Sequence, residues 1–116
     1  MSAVHGFGAS LALIVVVLFI GFESASALLC LPARWRWVER LVLLALGAQV
    51  VIGAALYLGG ARPREPLHLL YGAAVLAVIP LASTFAAEAP PRPRGVVMVA
   101  AGIVLLLLAW RLLSTG

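Results

Sequence analysis

The chain has 116 residues, of which 65% are hydrophobic and 10% are charged, and its formal net charge is +4. A soluble domain is about half apolar and about a quarter charged, so this composition excludes an ordinary soluble domain and indicates an integral membrane protein. All the basic residues are arginines spread over separate loops, so nucleic-acid binding is not indicated.

Four apolar runs are each long enough to cross a bilayer as a helix, which takes about 20 residues. They predict transmembrane spans at 3–29, 38–58, 67–86 and 95–113. The segments between the runs are short and rich in proline, glycine and arginine, so they end the helices and make neighbouring helices antiparallel. We therefore expect an all-α protein that forms one integral membrane four-helix bundle with up-down topology.

The first run resembles a signal peptide in one respect, because the small residues Ala25, Ser26 and Ala27 suit a cleavage site. However, no lysine or arginine precedes the run, and it is longer than the apolar region of a usual signal peptide. Leu29 before Cys30 does not suit a lipoprotein signal either. We expect the run to remain as a helix, with this single cysteine as a small apolar residue near its end.

The distribution of arginines predicts how the bundle is oriented. One side carries five of them and the other side carries Arg62, Arg64 and Arg111. The positive-inside rule places the more basic side, formed by the first and third loops, in the cytoplasm, so both termini face outward. The sequence thus predicts a multi-pass protein of a bacterial-type inner membrane. The five arginines of the more basic side are Arg34, Arg36, Arg40, Arg92 and Arg94.

The two histidines of the chain each stand just inside the start of an apolar run. Ser2 is a suitable N-cap and Pro66 suits a first helical position, so His5 and His68 would each be third in their helices. The first and third helices are parallel, so both imidazoles should lie at one depth near the outer face. Lipid offers a polar ring no partner, and two neutral imidazoles at one depth could ligate a haem between them.

The surroundings of the histidines suit such a ligand. Gly8 and Gly72 each lie near a histidine on its helix, where glycine gives a flat ring clearance. Arg62 and Arg64, with Arg111 on the same side, could bind propionates through paired hydrogen bonds. The alternative is that the histidines are interfacial residues and that the glycines allow close helix packing. A bare metal ion is less favoured, because no aspartate, cysteine or third histidine stands nearby as a ligand.

Other polar residues lie within the second and third runs. Gln49, Gly53 and Tyr57 share one face of the second helix. We expect Gln49 either to contact the edge of a cofactor or quinone, or to hydrogen-bond to another helix. Tyr71 is adjacent to the face of His68, where it would contact either the cofactor or the membrane interface.

Glu23 follows His5 by about 27 Å along the first helix, so it cannot belong to the same site. We expect it near the inner interface, paired with Arg34 or Arg36. A proton relay is the alternative, which the lack of acidic companions within the runs disfavours. The remaining glutamates are expected to be surface charges, and they are Glu39, Glu65 and Glu88.

The stretch AQVVIGAALYLGGARPREPLHLLYG resembles part of the heme A synthase family. Members consist of two similar four-helix halves, each with a haem-associated histidine pair on two parallel helices. A Gln-x-x-(Leu/Ile)-Gly motif precedes the second histidine of a half, and residues 49–53 match it. The resemblance assigns His5 and His68 to the two histidines and implies a single half that binds haem b or the haem undergoing oxidation. The family's catalytic loop glutamate is not assigned to Glu65, which directly precedes a proline.

Together these features predict a haem b-binding bundle that exchanges electrons with a larger respiratory or photosynthetic complex in the membrane. Its site would comprise one haem per chain, with His5 and His68 as the iron ligands. A haem-free accessory subunit, a half-size heme A synthase-like enzyme and a quinone site remain alternatives, and the chain could also form a homodimer. Independent catalytic activity is not expected, because the chain has no nucleophile–base pair, carboxylate pair or phosphate loop.

Overall fold

A computed structural model describes residues 3–116, apart from the side chains of residues 33 and 34. Ser2 and the Arg34 side chain, which carried two of the predictions above, lie outside this description. The described chain forms four α-helices, and each is long and apolar enough to cross a membrane. The all-α fold and the four apolar helices are thereby confirmed. The helices are α1 (Ala3–Leu29), α2 (Trp37–Leu58), α3 (Leu67–Phe85) and α4 (Pro91–Thr115), and a short 3₁₀ helix, Ala33–Arg36, precedes α2.

The start of α4 differs most from the predicted boundaries. It begins at Pro91, four residues before the predicted start at residue 95. Proline is tolerated in the first turn of a helix, where its missing N–H has no intrahelical partner to lose. The backbone N–H of Arg94 donates to the Pro90 carbonyl at 3.0 Å, which closes this first turn. Arg92 and Arg94, predicted in a loop, therefore belong to α4.

Helix α4 packs closely against α1 and α3, whereas α2 and α3 pack least closely of the neighbouring helices. Small residues permit the approach of α4 to α1. A Cβ on Gly102 would lie 2.6 Å from Ile20 Cγ1, and a Cβ on Gly95 would overlap Ala27. The buried apolar core takes residues from all four helices, namely Val16, Phe19, Val42, Leu46, Val75, Ile79, Met98 and Leu105.

Polar contacts occur at both ends of the bundle and show which helix ends meet. The starts of α1 and α3 lie beside the end of α4, where the Glu65 N–H donates to the Thr115 carbonyl at 3.2 Å. We call this the histidine end, since His5 and His68 lie there. The starts of α2 and α4 meet at the opposite end, which we call the glutamate end after Glu39.

Candidate functional site

The two imidazoles lie beside one another at the histidine end. Their ring centroids are 6.1 Å apart and their planes are inclined by 68°. His5 is the third residue of α1, but His68 is the second of α3, because Pro66 takes the N-cap position rather than the first helical position. This shift by one residue does not separate the rings. The prediction that the helix register brings the two histidines together is confirmed.

The end of α4 orients His68. Its Nδ1 lies 3.2 Å from Thr115 Oγ1, and the Thr115 hydroxyl donates to the Arg111 carbonyl at 2.8 Å. Since the hydroxyl proton is used in that bond, Thr115 accepts a hydrogen bond from Nδ1–H of His68. The lone pair of the neutral imidazole is then on Nε2, as in metal-binding histidines whose other nitrogen donates to a neighbour.

Gln49 on α2 orients His5. Its side-chain amide donates to the His5 carbonyl at 2.8 Å, and its Nε2 also lies 3.0 Å from His5 Nδ1. The predicted hydrogen bond between helices is confirmed. When Nδ1 accepts from the amide, the proton of the neutral His5 ring is on Nε2. The ring also lies against α2, where a Cβ on Gly53 would be 3.0 Å from His5 Cε1.

The two glycines predicted to flank a flat ligand have different surroundings. A Cβ on Gly8 would overlap Oε1 of Gln49, so Gly8 makes room for the amide that orients His5. A Cβ on Gly72 would meet nothing within 4 Å. Only Gly72 therefore has beside it the open space that a flat ligand would use.

A cavity of about 330 Å³ extends from the histidine pair into the bundle, between α2 and α3. Its walls are mainly apolar, and its volume lies at the lower end of the range for small-molecule sites. Small residues from all four helices contribute to its walls and keep the space open, among them Ala9, Gly53, Ala54, Gly72, Ala73 and Ala109.

The predicted polar residues around the cavity are not equally placed. Arg62 lines it, but its guanidinium donates to the Tyr57 carbonyl at 2.8 Å and lies 4.4 Å from the centre of the Tyr57 ring. It therefore caps the carboxyl end of α2. Arg64 is exposed, and neither it nor Tyr71 lines the cavity. The Tyr71 ring instead lies 5.7 Å from the guanidinium of Arg111.

Sequence reasoning did not single out Thr115, although it hydrogen-bonds to His68. A serine or threonine at the end of an apolar run is common, so the residue type alone does not indicate a contact with His68. Its position does indicate one, because the last residue of a helix antiparallel to α3 would lie beside the start of α3. Gly53, where His5 packs, was indicated only by its helical spacing from Gln49.

No group of three or more His, Cys, Asp or Glu side chains in residues 3–116 is arranged to hold a metal ion. The histidine pair is thus two neighbouring imidazoles rather than a closed coordination shell. Comparison with family models, curated proteins and solved structures found no match to the chain. The resemblance to the heme A synthase family stays a prediction that rests on the two histidines and residues 49–53.

Proposed function

We propose that His5 and His68 ligate one haem b and that the protein exchanges electrons with a larger redox complex in the membrane. The 6.1 Å separation of the ring centroids carries this proposal. With metal–nitrogen bonds of about 2 Å on each side, two axial imidazoles have centroids roughly 6 Å apart. Bound there, the haem would supply one-electron redox chemistry.

The residues around the pair suit such a group. His68 presents the lone pair of Nε2, and Thr115 holds its ring in that tautomer. Gly72 leaves open space along the cavity that begins at the two rings. Arg62 lines the same cavity and is the cation best placed for a propionate.

Gln49 has to adjust for His5 to serve as a ligand. A histidine that binds iron through Nε2 carries its proton on Nδ1 and needs an acceptor there. Rotation of the Gln49 amide alone would bring Oε1 to Nδ1 but would also set it against the His5 carbonyl oxygen, to which Nε2 donates at 2.8 Å. The side chain therefore has to shift as well as rotate to supply that acceptor. Gln49 is thus a positioning residue for His5.

Replacing Gly8 with alanine is expected to weaken haem binding by about 10–100-fold, as is typical when a partner of a metal-bound histidine is lost. The new Cβ would overlap the Gln49 amide and displace it from His5. Titration of the apoprotein in detergent with haem measures the effect. Gly21→Ala is the matched control, because a Cβ at Gly21 on the same helix meets nothing within 4 Å. Equal affinity in the two variants would contradict a positioning role for Gln49.

The reduced-minus-oxidised absorption spectrum of the purified protein tests the proposed function. The expected result is the sharp bands of a six-coordinate, low-spin haem b, with one haem per chain. A colourless protein at full occupancy in its membrane complex would overturn the proposal and leave the haem-free accessory subunit and the quinone site as the candidates.

We further propose an up-down bundle in a bacterial-type inner membrane, with both termini and the histidine end on the outer side. The arginine distribution supports this orientation, since five arginines belong to the segments at the glutamate end and three to those at the histidine end. The haem would then lie near the outer face, where an extracytoplasmic redox partner reaches it.

A quinone is the second candidate ligand, and the hydrogen bond from Gln49 favours it. With Nδ1 as acceptor, His5 carries its proton on Nε2, the form that donates to a carbonyl oxygen rather than ligates iron. A quinone recovered by solvent extraction from a protein without haem bands would support this candidate. The half-size heme A synthase-like enzyme stays a prediction from the resemblance, and we assign it no catalytic residue.

A further inference from the structure

Three charged side chains from three helices are buried together at the glutamate end. Glu23 of α1 is 1% exposed, Glu39 of α2 is 5% exposed and Arg94 of α4 is 9% exposed. The expectation that Glu39 is a surface charge is therefore wrong. Glu23 also has an acidic companion after all, since Glu39 interacts with it from the neighbouring helix.

One of the two carboxylates engages both terminal nitrogens of Arg94, whereas Nε of Arg94 is buried with no hydrogen-bond partner among the described residues. Its Nη1 donates to Glu39 Oε1 at 2.7 Å and its Nη2 donates to Glu39 Oε2 at 2.7 Å. This paired geometry is the strongest form of a guanidinium–carboxylate contact. The positive charge of Arg94 is thus balanced by Glu39, and the pair is neutral.

Glu23 is left without a counter-charge of its own. Its carboxyl lies within hydrogen-bonding reach of the Glu39 carboxyl. Two ionised carboxylates cannot form a hydrogen bond, because neither has a proton to donate. Its Oε1 is buried and has no hydrogen-bond partner among the described residues. The other nearby cation is Arg36, which is exposed in the 3₁₀ helix. An ionised Glu23 would make the buried cluster negative, at a large cost in desolvation.

A second cavity connects this cluster to the surface of the bundle. It has a volume of about 170 Å³, enough for several water molecules. Glu39 and Arg94 line its inner part, and exposed residues before α2, such as Cys30, Trp35 and Arg36, line its outer part. Glu23 does not line this cavity, so water in it would carry a proton as far as Glu39, and the contact between the two carboxyls would pass the proton to Glu23.

We propose that Glu23, Glu39 and Arg94 form a proton-binding site, in which Glu23 holds one proton and exchanges it with the aqueous phase at the glutamate end. The protonated site is neutral, with Glu23 as the hydrogen-bond donor to Glu39. Release of the proton to water through the cavity leaves the site with a single negative charge. The site lies about 27 Å along α1 from His5 and does not depend on the ligand of the histidine end.

Infrared spectroscopy of the protein in lipid tests this site, because the chain has only four acidic side chains, all glutamates. At neutral pH we expect the carbonyl stretch of one protonated carboxyl group, which shifts in D₂O as the proton exchanges. The band should be absent in Glu23→Gln and unchanged in Glu88→Gln, since Glu88 is exposed. Titration to high pH should remove the band from the wild-type protein.

Three results would overturn the proposal: no protonated carboxyl at neutral pH, a band that persists in Glu23→Gln, or a band that does not shift in D₂O. If Glu23→Gln does not fold, the double variant Glu65→Gln/Glu88→Gln keeps only the two buried glutamates. Its glutamate side chains, labelled with ¹³C, should then show one protonated and one ionised carboxyl. Two ionised carboxylates in that variant would equally reject the proton-binding site.

Discussion

Replacing either His5 or His68 with alanine is expected to abolish the six-coordinate haem spectrum. Each ring supplies one axial ligand in the proposed site, and no other His, Cys, Asp or Glu among the described residues forms a metal-binding group with them. The remaining histidine would hold at most a five-coordinate, high-spin haem that binds carbon monoxide. Absorption spectra of the ferrous variants, with and without carbon monoxide, measure this change.

Exogenous imidazole separates loss of a ligand from loss of the fold. Alanine leaves a space where the ring was, and free imidazole should enter it and restore the low-spin spectrum. The Gly21→Ala protein is the control, because it should keep the native spectrum and gain nothing from imidazole. A six-coordinate spectrum that persists in His5→Ala or His68→Ala without imidazole would exclude that histidine as a ligand.

Replacing Arg94 with alanine is expected to destabilise the protein by about 3–5 kcal/mol, the usual cost of leaving a buried charge without its partner. The variant would remove the paired hydrogen bonds to Glu39 and leave that carboxylate buried beside Glu23 without its arginine partner. The free energy of unfolding, from titration with SDS in mixed micelles, measures the effect. Arg92→Ala is the control, since Arg92 lies two residues earlier in α4, is exposed and should change stability by about 0.5 kcal/mol or less.

The double variant Arg94→Ala/Glu39→Ala should be more stable than Arg94→Ala alone. Removal of both partners eliminates the unpaired buried carboxylate, whereas removal of the arginine alone creates it. Equal stability of the Arg94→Ala and Arg92→Ala proteins would show that the ion pair does not hold α2 and α4 together.

The helices and the contact between the two histidines could be predicted from the sequence, because both follow from the lengths and the number of the apolar runs. Apolar run length gives the helices, and an even number of reversals makes α1 and α3 parallel. Two histidines near the starts of parallel helices then come to one depth, even though the start of α3 is displaced by one residue. Gln49 was similarly constrained, because an amide in an apolar helix needs a partner on another helix.

The buried charged cluster at the glutamate end could not be predicted from the sequence. The residue types there suit a loop or a membrane interface as well as a buried site, and their order along the chain does not distinguish these possibilities. Arg94 follows three prolines, a pattern that favours a loop, but two of those prolines belong to the first turn of α4. Glu39 stands among arginines and tryptophans that are typical of a membrane interface. The same ambiguity affects Gly8, since glycine suits both a ligand surface and a close contact, and only the position of Gln49 distinguishes them.

Pulsed electron paramagnetic resonance of the ferric protein, grown with ¹⁵N-histidine, tests the haem proposal most directly. The chain contains only two histidines, so every ¹⁵N coupling to the iron comes from His5 or His68. We predict a low-spin signal with two coupled histidine nitrogens, one from each ring. A protein whose iron couples to one or no histidine nitrogen would contradict a haem held between these two helices.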